Sequence, residues 1–211
     1  MKKTNIITIL LILISFISAV YLYPRMPGQM ASHWNAQGQV DGYMPKFWGL
    51  FLLPLIILGL FLLFLLIPKI DPLKGNIKKF RRYYDLFILF MVIFMLYIYF
   101  LIILWNFNVL FDMNRLLIPA MGLLFFYAGV LTENAKMNWF VGIRTPWTLS
   151  SEKVWNKTNR LGGKLFKIAA LIAFLGFFFP DYSVLLIMIP VLSLVIFAVL
   201  YSFFEYKKEK K

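Results

Sequence analysis

The longest polar segment of the chain, residues 138–166, holds the side chains whose types and spacing could support binding chemistry. Its three tryptophans, Trp139, Trp147 and Trp155, lie among cations that include Arg144, Lys153, Lys157 and Arg160. A guanidinium flanked by indole rings is a usual composition for a surface that docks another protein. A basic helix with aromatic edges is also typical of a segment that lies on an anionic lipid leaflet. Both interpretations stay open on the residues alone.

A turn and a short helix should position these side chains. Pro146 biases the preceding residue toward extended backbone geometry, and Ser150 can cap a helix that has Glu152 in its first turn. Apolar residues then recur on one helical face, with cations and amides mainly on the other. Gly162 and Gly163 are predicted to end the helix. The pattern therefore predicts an amphipathic interfacial helix.

A second candidate site surrounds the single histidine of the chain. His33 with Asp41 could form a metal-binding or proton-responsive pair, but one histidine and one carboxylate make an incomplete zinc shell. A hydrogen-bonded loop with an aromatic and cationic surface is the favoured interpretation. Such a surface could recognise a peptide through His33, Trp34, Tyr43 and Lys46.

Enzyme activity is not predicted. The chain has no nucleophile elbow, zinc-protease motif, phosphate-binding loop or dinucleotide fingerprint. No predicted membrane span places an ionisable residue at mid-depth, although proton-driven pumps and intramembrane hydrolases usually need one. Asp112 and Arg115 are predicted to form an ion pair at the membrane interface. We therefore predict no catalytic residue, no cofactor and no metal site.

The composition places the chain in a membrane. Of its 211 residues 62% are apolar and 19% are aromatic, which leaves too little polar surface to coat a soluble globule. The formal net charge of +13 does not indicate nucleic-acid binding here, because the cations lie between apolar spans, where they face lipid headgroups. There is no cysteine, and so no disulfide framework.

Six apolar runs are long enough to be membrane helices. They are predicted at residues 6–22, 47–67, 84–105, 116–132, 164–179 and 183–204. The first run resembles a signal peptide as well as a first membrane helix, and we expect it to be retained because its cleavage site is poor. In the fourth run Gly122, Ala128 and Gly129 could let a neighbouring backbone approach closely. The fold class is therefore predicted to be an all-α bundle of six transmembrane helices.

The cations predict the orientation of this bundle. Lys and Arg number 19 on the side of the amino terminus and 3 on the other side. The positive-inside rule then places both termini and the loop 133–163 in the cytoplasm, and the loop 24–46 outside.

The polar segment also carries a resemblance to a known family. It reads Gly142-Ile143-Arg144-Thr145-Pro146-Trp147-Thr148-Leu149, followed by Glu152, Val154-Trp155, Asn159-Arg160 and Gly162-Gly163. This run resembles the signature of the SdpI-type family of bacterial multi-spanning proteins, named after an immunity factor against a secreted toxic peptide. His33-Trp34-Asn35, Gly38, Asp41-Gly42-Tyr43 and Lys46 resemble a segment that often precedes the second helix in such proteins.

The resemblance implies two functional surfaces. In the immunity member, detection of a signal at the membrane is coupled to capture of a small DNA-binding repressor of the winged-helix type. The corresponding cytoplasmic partner loop would comprise Asn138, Phe140, Gly142, Arg144, Thr145, Pro146, Trp147, Thr148, Glu152, Trp155, Asn159, Arg160 and Gly162. The outer surface for a peptide would comprise His33, Trp34, Asn35, Gly38, Asp41, Tyr43 and Lys46.

The predicted domains are a two-helix unit (1–68), a basic cytoplasmic link (69–83) and a four-helix SdpI-like unit (84–211). The predicted function is non-enzymatic: a cell-membrane protein that confers immunity to a secreted toxic peptide, or senses it and captures a repressor. Anionic lipid is the other predicted partner, and nucleic acid is not bound directly. Two alternatives remain, a small exporter of a hydrophobic compound and a purely structural envelope protein. Three spans in each half, with long polar segments on opposite sides, are a weak indication of a transporter.

Overall fold

The computed structural model describes residues 3–211, which form a helical bundle with one small sheet. The helices are α1 (Lys3–Leu22), α2 (Lys46–Ile70), α3 (Lys74–Lys79), α4 (Arg81–Asn106), α5 (Met113–Asn134), α6 (Pro146–Ser150), α7 (Glu152–Phe174) and α8 (Ser183–Glu209). The strands are β1 (Gln29–Trp34) and β2 (Val40–Pro45). We name the two ends of the bundle by what they carry. The hairpin end holds the sheet and the link 107–112, and the basic end holds residues 71–80 and 135–151.

The helices α1, α2, α4, α5 and α8 are long and apolar enough to cross a membrane. Large apolar side chains cover much of their outer surface, as at Ile14, Leu62 and Ile196, which are 59%, 56% and 62% exposed. Such a surface is stable in lipid and unfavourable in water. The chain is therefore a multi-pass membrane protein whose structure is mainly helical, as predicted.

The sixth long helix, α7, has a different composition. It spans 23 residues, but all six of its charged residues lie before Ile168. Only its last third is uniformly apolar, and it is not among the five helices with the composition of a membrane span. The sixth crossing therefore remains a prediction.

Gly162 and Gly163 do not end a helix, so the prediction of a separate interfacial helix is wrong. α7 continues through both glycines, and its amphipathic first half is joined directly to its apolar last third. Ser151, one residue after the predicted cap, accepts a hydrogen bond from the backbone N–H of Val154 at 3.2 Å. Gly163 is buried because α7 crosses α5 there, and Gly162 is buried against the side chain of Ile143.

The loop 24–46 contains an antiparallel β-hairpin that was not predicted. Its pairs include Gln29 with Pro45 and Ala31 with Tyr43, and the register shifts around His33. Met30 and Ala31 are buried at the hairpin end of the bundle, whereas the residues of β2 alternate between half-buried and exposed. The hairpin is therefore an ordered cap with one outward face.

The two halves of the bundle share an apolar cluster at the basic end. Ile67 from α2 and Tyr84 from α4 pack in one cluster with Leu131 and Ala135, at the end of α5, and with Trp155 from α7. Ile12 of α1 belongs to the same cluster, and Phe140 of the loop packs against it. The 135–151 loop therefore lies against the first three long helices.

Candidate functional site

The outward face of the hairpin carries His33, Asp41 and Tyr43. The Nδ1 atom of His33 lies 2.5 Å from Oδ1 of Asp41, and their side chains are 71% and 44% exposed. Tyr43 is 62% exposed. The three side chains can therefore meet a ligand at the hairpin end. Among residues 3–211 no cluster of three or more His, Cys, Asp or Glu could hold a metal ion.

The other residues of this predicted surface have mainly structural contacts. Trp34 is half-buried, and its ring centroid lies 5.9 Å from that of Trp105. The Lys46 ammonium lies 4.6 Å from the centroid of the Tyr23 ring, a cation–π distance.

Asn35 and Gly38 shape the turn of the hairpin. The side-chain oxygen of Asn35 accepts hydrogen bonds from the backbone N–H groups of Gln37 and Gln39, at 3.0 and 2.9 Å. Gly38 has φ of 74°, and a Cβ there would come within 2.9 Å of the Asp112 carboxylate. A side chain would therefore be strained and obstructed at position 38.

Two asparagines that were not predicted as site residues fasten the hairpin to the bundle. Asn106, at the end of α4, accepts a hydrogen bond from the N–H of Ala31 at 2.8 Å and donates to its carbonyl at 3.1 Å. Asn114, in the first turn of α5, donates to the carbonyls of Asn35 and Ala36 at 3.2 and 2.8 Å. The hairpin thus contacts both helices at the boundary between the two halves. Asparagine at the ends of apolar helices was the only sequence signal for this role.

Asp112 and Arg115 do not form the predicted ion pair among residues 3–211. The Asp112 carboxylate instead accepts the backbone N–H of Arg115 at 3.1 Å, which caps α5. The Arg115 guanidinium lies 4.8 Å from the centroid of the Phe177 ring.

At the basic end, Asn138 forms the first turn of the predicted partner loop. It is fully buried. Its side-chain oxygen accepts the N–H groups of Phe140 and Val141 at 2.9 and 2.7 Å, and its amide donates to the carbonyls of Lys136 and Val141, each at 2.8 Å. One side chain therefore satisfies four backbone groups that have no helix or strand partner.

Asn159 and Trp155 hold the same loop against α7. The side-chain oxygen of Asn159 accepts the N–H of Ile143 at 2.7 Å, and its amide donates to the carbonyl of Ile143 at 3.3 Å. The Trp155 indole donates to the carbonyl of Ala135 at 2.9 Å. Gly142 has φ of 109° and passes so close that a Cβ would lie 2.5 Å from the Asn159 oxygen. The backbone of Gly142 and Ile143 is therefore held against α7 by the side chain of Asn159.

Thr145 and Thr148 join the loop to α6 and α8. They form a reciprocal cap of α6, in which each side chain bonds the backbone N–H of the other residue. The Thr145 hydroxyl also donates to the hydroxyl of Ser202 on α8 at 3.0 Å. The ring centroid of Trp147 lies 5.2 Å from that of Phe203.

Asp71, which was not predicted as a site residue, ties the first half of the chain to this loop. It is 2% exposed, and its carboxylate accepts the N–H of Leu73 at 2.6 Å and of Trp139 at 2.9 Å. The Asn76 amide donates to the carbonyl of Met137 at 2.9 Å. The loop is therefore in contact with both halves of the bundle, as is the hairpin at the other end.

The structure divides the thirteen predicted loop residues by exposure. Four are exposed: Arg144, Pro146, Glu152 and Arg160. Three are half-buried: Phe140, Gly142 and Trp147. Six are buried: Asn138, Thr145, Thr148, Trp155, Asn159 and Gly162. In this conformation a partner could touch the first two groups, whereas the buried residues position them.

Arg144 is the most prominent cation of this surface. Its Nη1 donates to the backbone carbonyl of Trp139 at 2.6 Å, and the Trp139 side chain is itself 50% exposed. An arginine and a tryptophan presented together on a rigid loop are suited to docking. The arrangement therefore offers binding chemistry.

Two regions of the chain match known families. Residues 134–202 match the SdpI/YfhL protein family, and residues 10–58 match a domain of unknown function, DUF1648. Over 207 residues the chain is 28% identical to the Immunity protein SdpI of Bacillus subtilis (strain 168). The aligned residues cover 98% of this chain and 97% of that protein. No solved structure matches. The resemblance inferred from the Arg144 segment is thus confirmed, and these matches indicate no enzyme family.

Proposed function

We propose that this multi-pass membrane protein, which carries the SdpI/YfhL family region, is a non-enzymatic immunity protein that protects its cell against a secreted toxic peptide. The observation that carries the proposal is the near full-length similarity to a protein named for immunity. The outward face of the hairpin, with His33, Asp41 and Tyr43, is the surface proposed to meet the peptide.

The contacts of the hairpin support a coupled response. Asn106 and Asn114 link it to α4 and α5, the two helices on either side of the boundary between the halves. A peptide that changes the position of the hairpin would therefore bias how the halves pack. This works only if the peptide prefers one packing state, because equal affinity for both states shifts nothing.

The basic end is proposed to read out this change. The loop contacts the first half through Asp71 and the second half through Asn159 and Thr145, so a shift between the halves would move Arg144 and Trp139. The proposed cytoplasmic partner is a small winged-helix repressor. Arg144, Pro146 and the half-buried Trp147 would form part of its docking surface.

The proposal requires the hairpin outside the cell and Arg144 inside. Because the chain has no cysteine, single cysteines report position without background labelling. We expect a cysteine at Gln39 to react with a membrane-impermeant maleimide in intact cells, and a cysteine at Lys136 to react only after permeabilisation. Labelling of position 136 in intact cells would overturn the orientation and the relay together.

The function is tested by expressing the chain in an indicator strain that is sensitive to the toxic peptide. The secreted peptide fraction of the bacterium whose genome encodes this chain is then added. We expect expression to raise the tolerated dose, and Tyr43→Ala to lower that dose about tenfold, as for loss of an interface hot spot. In the native host, Arg144→Ala is expected to abolish the transcriptional response to the same fraction.

The matched controls are Gln39→Ala on the hairpin and Lys136→Ala in the basic loop, both exposed neighbours outside the proposed surfaces. Protein level in the membrane is measured for every variant. If Arg144→Ala leaves both protection and the transcriptional response intact at normal protein level, the role of the basic loop is refuted. If expression gives no protection, the immunity proposal itself fails.

An exporter of hydrophobic compounds is the second candidate, because a cleft lies at the boundary between the halves. The cleft of about 460 Å³ is lined by α4, α5 and the end of α7, and its walls are mainly aromatic and aliphatic. Phe94, Leu123 and Phe174 are among its lining residues, and Arg115 is its one charged group. Efflux of a hydrophobic dye from vesicles containing the protein would favour this function, whereas protection without flux favours immunity.

A further inference from the structure

A groove between α7 and α8 joins an apolar channel to a basic mouth. The channel of about 310 Å³ is lined by Leu161, Leu165 and Ile168 on α7, facing Pro190, Leu194 and Phe197 on α8, with other residues of the same two helices. It meets a second cavity of about 260 Å³, because Leu161 lines both. The groove is therefore one continuous surface feature of the lipid-facing side.

The mouth of the groove is cationic. Its cavity is lined by Lys157, Arg160 and Lys164 together with Tyr201 of α8. Lys157 lies 2.5 Å from a carboxylate oxygen of Glu205, so that cation is already paired. Arg160 and Lys164 are exposed and have no ion-pair partner among residues 3–211. Two uncompensated positive charges thus stand where the channel opens.

Channel and mouth belong to the same stripe of each helix. On α7 the lining positions recur every three or four residues from Lys157 to Ile172, and on α8 they do so from Pro190 to Tyr201. Phe197 and Tyr201 stack with their ring centroids 5.6 Å apart, which makes the α8 wall continuous. The helical period therefore aligns the charges with the apolar channel.

The dimensions match one leaflet of a bilayer. From Leu165, the first channel residue beyond Lys164, to Ile172 the helix rises about 10 Å, which fits within the roughly 15 Å of hydrocarbon in one leaflet. The cations between Lys157 and Lys164 then lie at the level of the headgroups. An acyl chain in the channel would place its own headgroup beside Arg160 and Lys164.

We infer that this groove is a binding site for an anionic phospholipid in the leaflet next to the basic end. The acyl chain lies in the channel between α7 and α8, and the phosphate is bound by Arg160 and Lys164, with Tyr201 lining the same mouth. A zwitterionic lipid fits the channel equally well but lacks the net charge that the mouth favours. The inference does not depend on the proposed immunity function.

Native mass spectrometry of the full chain in mild detergent tests the site with phosphatidylglycerol and phosphatidylcholine of identical acyl chains. We expect phosphatidylglycerol to bind preferentially. Each cation near an anionic lipid contributes roughly a fivefold factor in affinity, so Arg160→Gln with Lys164→Gln should weaken phosphatidylglycerol binding about 25-fold. Ser193→Trp, at an exposed position lining the channel, should also displace the lipid without removing a charge.

The matched control is Lys78→Gln with Lys79→Gln, which removes two exposed cations from α3 at the same end of the bundle. This control should retain phosphatidylglycerol, and all variants should elute and melt like the parent. An equal loss in the control would show a diffuse effect of surface charge and overturn the inference. It would also be overturned if glycerol phosphate competes as strongly as the lipid. The same holds if a second copy of the chain occupies the groove, so that Ser193→Trp dissociates a dimer and leaves lipid binding unchanged.

Discussion

Gly163→Ala should prevent α5 and α7 from packing as they do in this structure. A Cβ at position 163 would lie 2.6 Å from the carbonyl oxygen of Gly129 and 2.8 Å from the backbone nitrogen of Glu133. Backbone atoms cannot rotate away as a flexible side chain can, so the helices themselves must separate. Overpacking of this kind costs about 3 kcal/mol, which should lower the melting temperature of the purified protein by roughly 10 °C.

Gly59→Ala is the matched control for this substitution. Gly59 also lies inside a long helix, but a Cβ there would meet no heavy atom within 4 Å. We therefore expect Gly59→Ala to melt within about 1 °C of the parent, because alanine adds helix propensity without a clash. A Gly163→Ala protein that melts like this control would show that the two helices are not in backbone contact.

The roles of the glycines show what the sequence could predict about helix packing. Gly122 and Gly129 were predicted to let a neighbouring backbone approach, and carbonyls of α7 do lie within 3.0 and 2.6 Å of their virtual Cβ positions. Gly162 and Gly163 were instead predicted to end a helix, since a glycine pair after an amphipathic segment is a common local stop signal. Whether a glycine ends a helix or packs against another one depends on contact with a helix that is distant in sequence. The local sequence pattern carries no information about that contact.

The long helices were predictable because lipid imposes length and composition on them. The third and fourth predicted spans, 84–105 and 116–132, correspond to Arg81–Asn106 and Met113–Asn134. The hairpin was not predictable in the same way. Its strands are short, and their pairing register shifts at His33. The backbone of the hairpin also depends on hydrogen bonds from Asn106 and Asn114, which lie on helices distant in sequence.

For the candidate site, the sequence indicated a segment but not which of its residues are exposed and which are buried. Trp155 and Asn159 were grouped with Arg144 as partner contacts, because all three belong to the motif that carries the family resemblance. The structure buries both under the loop that presents Arg144. Asp71 was missed since it lies 68 residues from Trp139, whose N–H it accepts.

Asn159→Leu should open the Arg144 loop while α7 stays helical. Leucine has the same branched shape as asparagine but cannot accept the N–H of Ile143 or donate to its carbonyl. The Ile143 carbonyl keeps its hydrogen bond from the Thr148 hydroxyl, but the Ile143 N–H loses its partner. A buried group without a partner costs about 1–3 kcal/mol, so the open population of the loop should rise about thirtyfold. Limited trypsin digestion of the solubilised protein, followed by mass analysis of fragments ending at Arg144, measures that population when opening is fast relative to cleavage.

Asn156→Leu provides the comparison that isolates the hydrogen bonds, because Asn156 is exposed on the same helix three residues earlier. It adds the same apolar side chain and should leave cleavage after Arg144 at the parental rate. Equal rates in both variants would mean that Asn159 does not hold the loop. A slow parental rate and a fast Asn159→Leu rate would instead show that a buried amide on α7 keeps the exposed guanidinium in place. The ordered loop is what the proposed readout at the basic end requires, since a surface that is already disordered has no second state for a bound peptide to select.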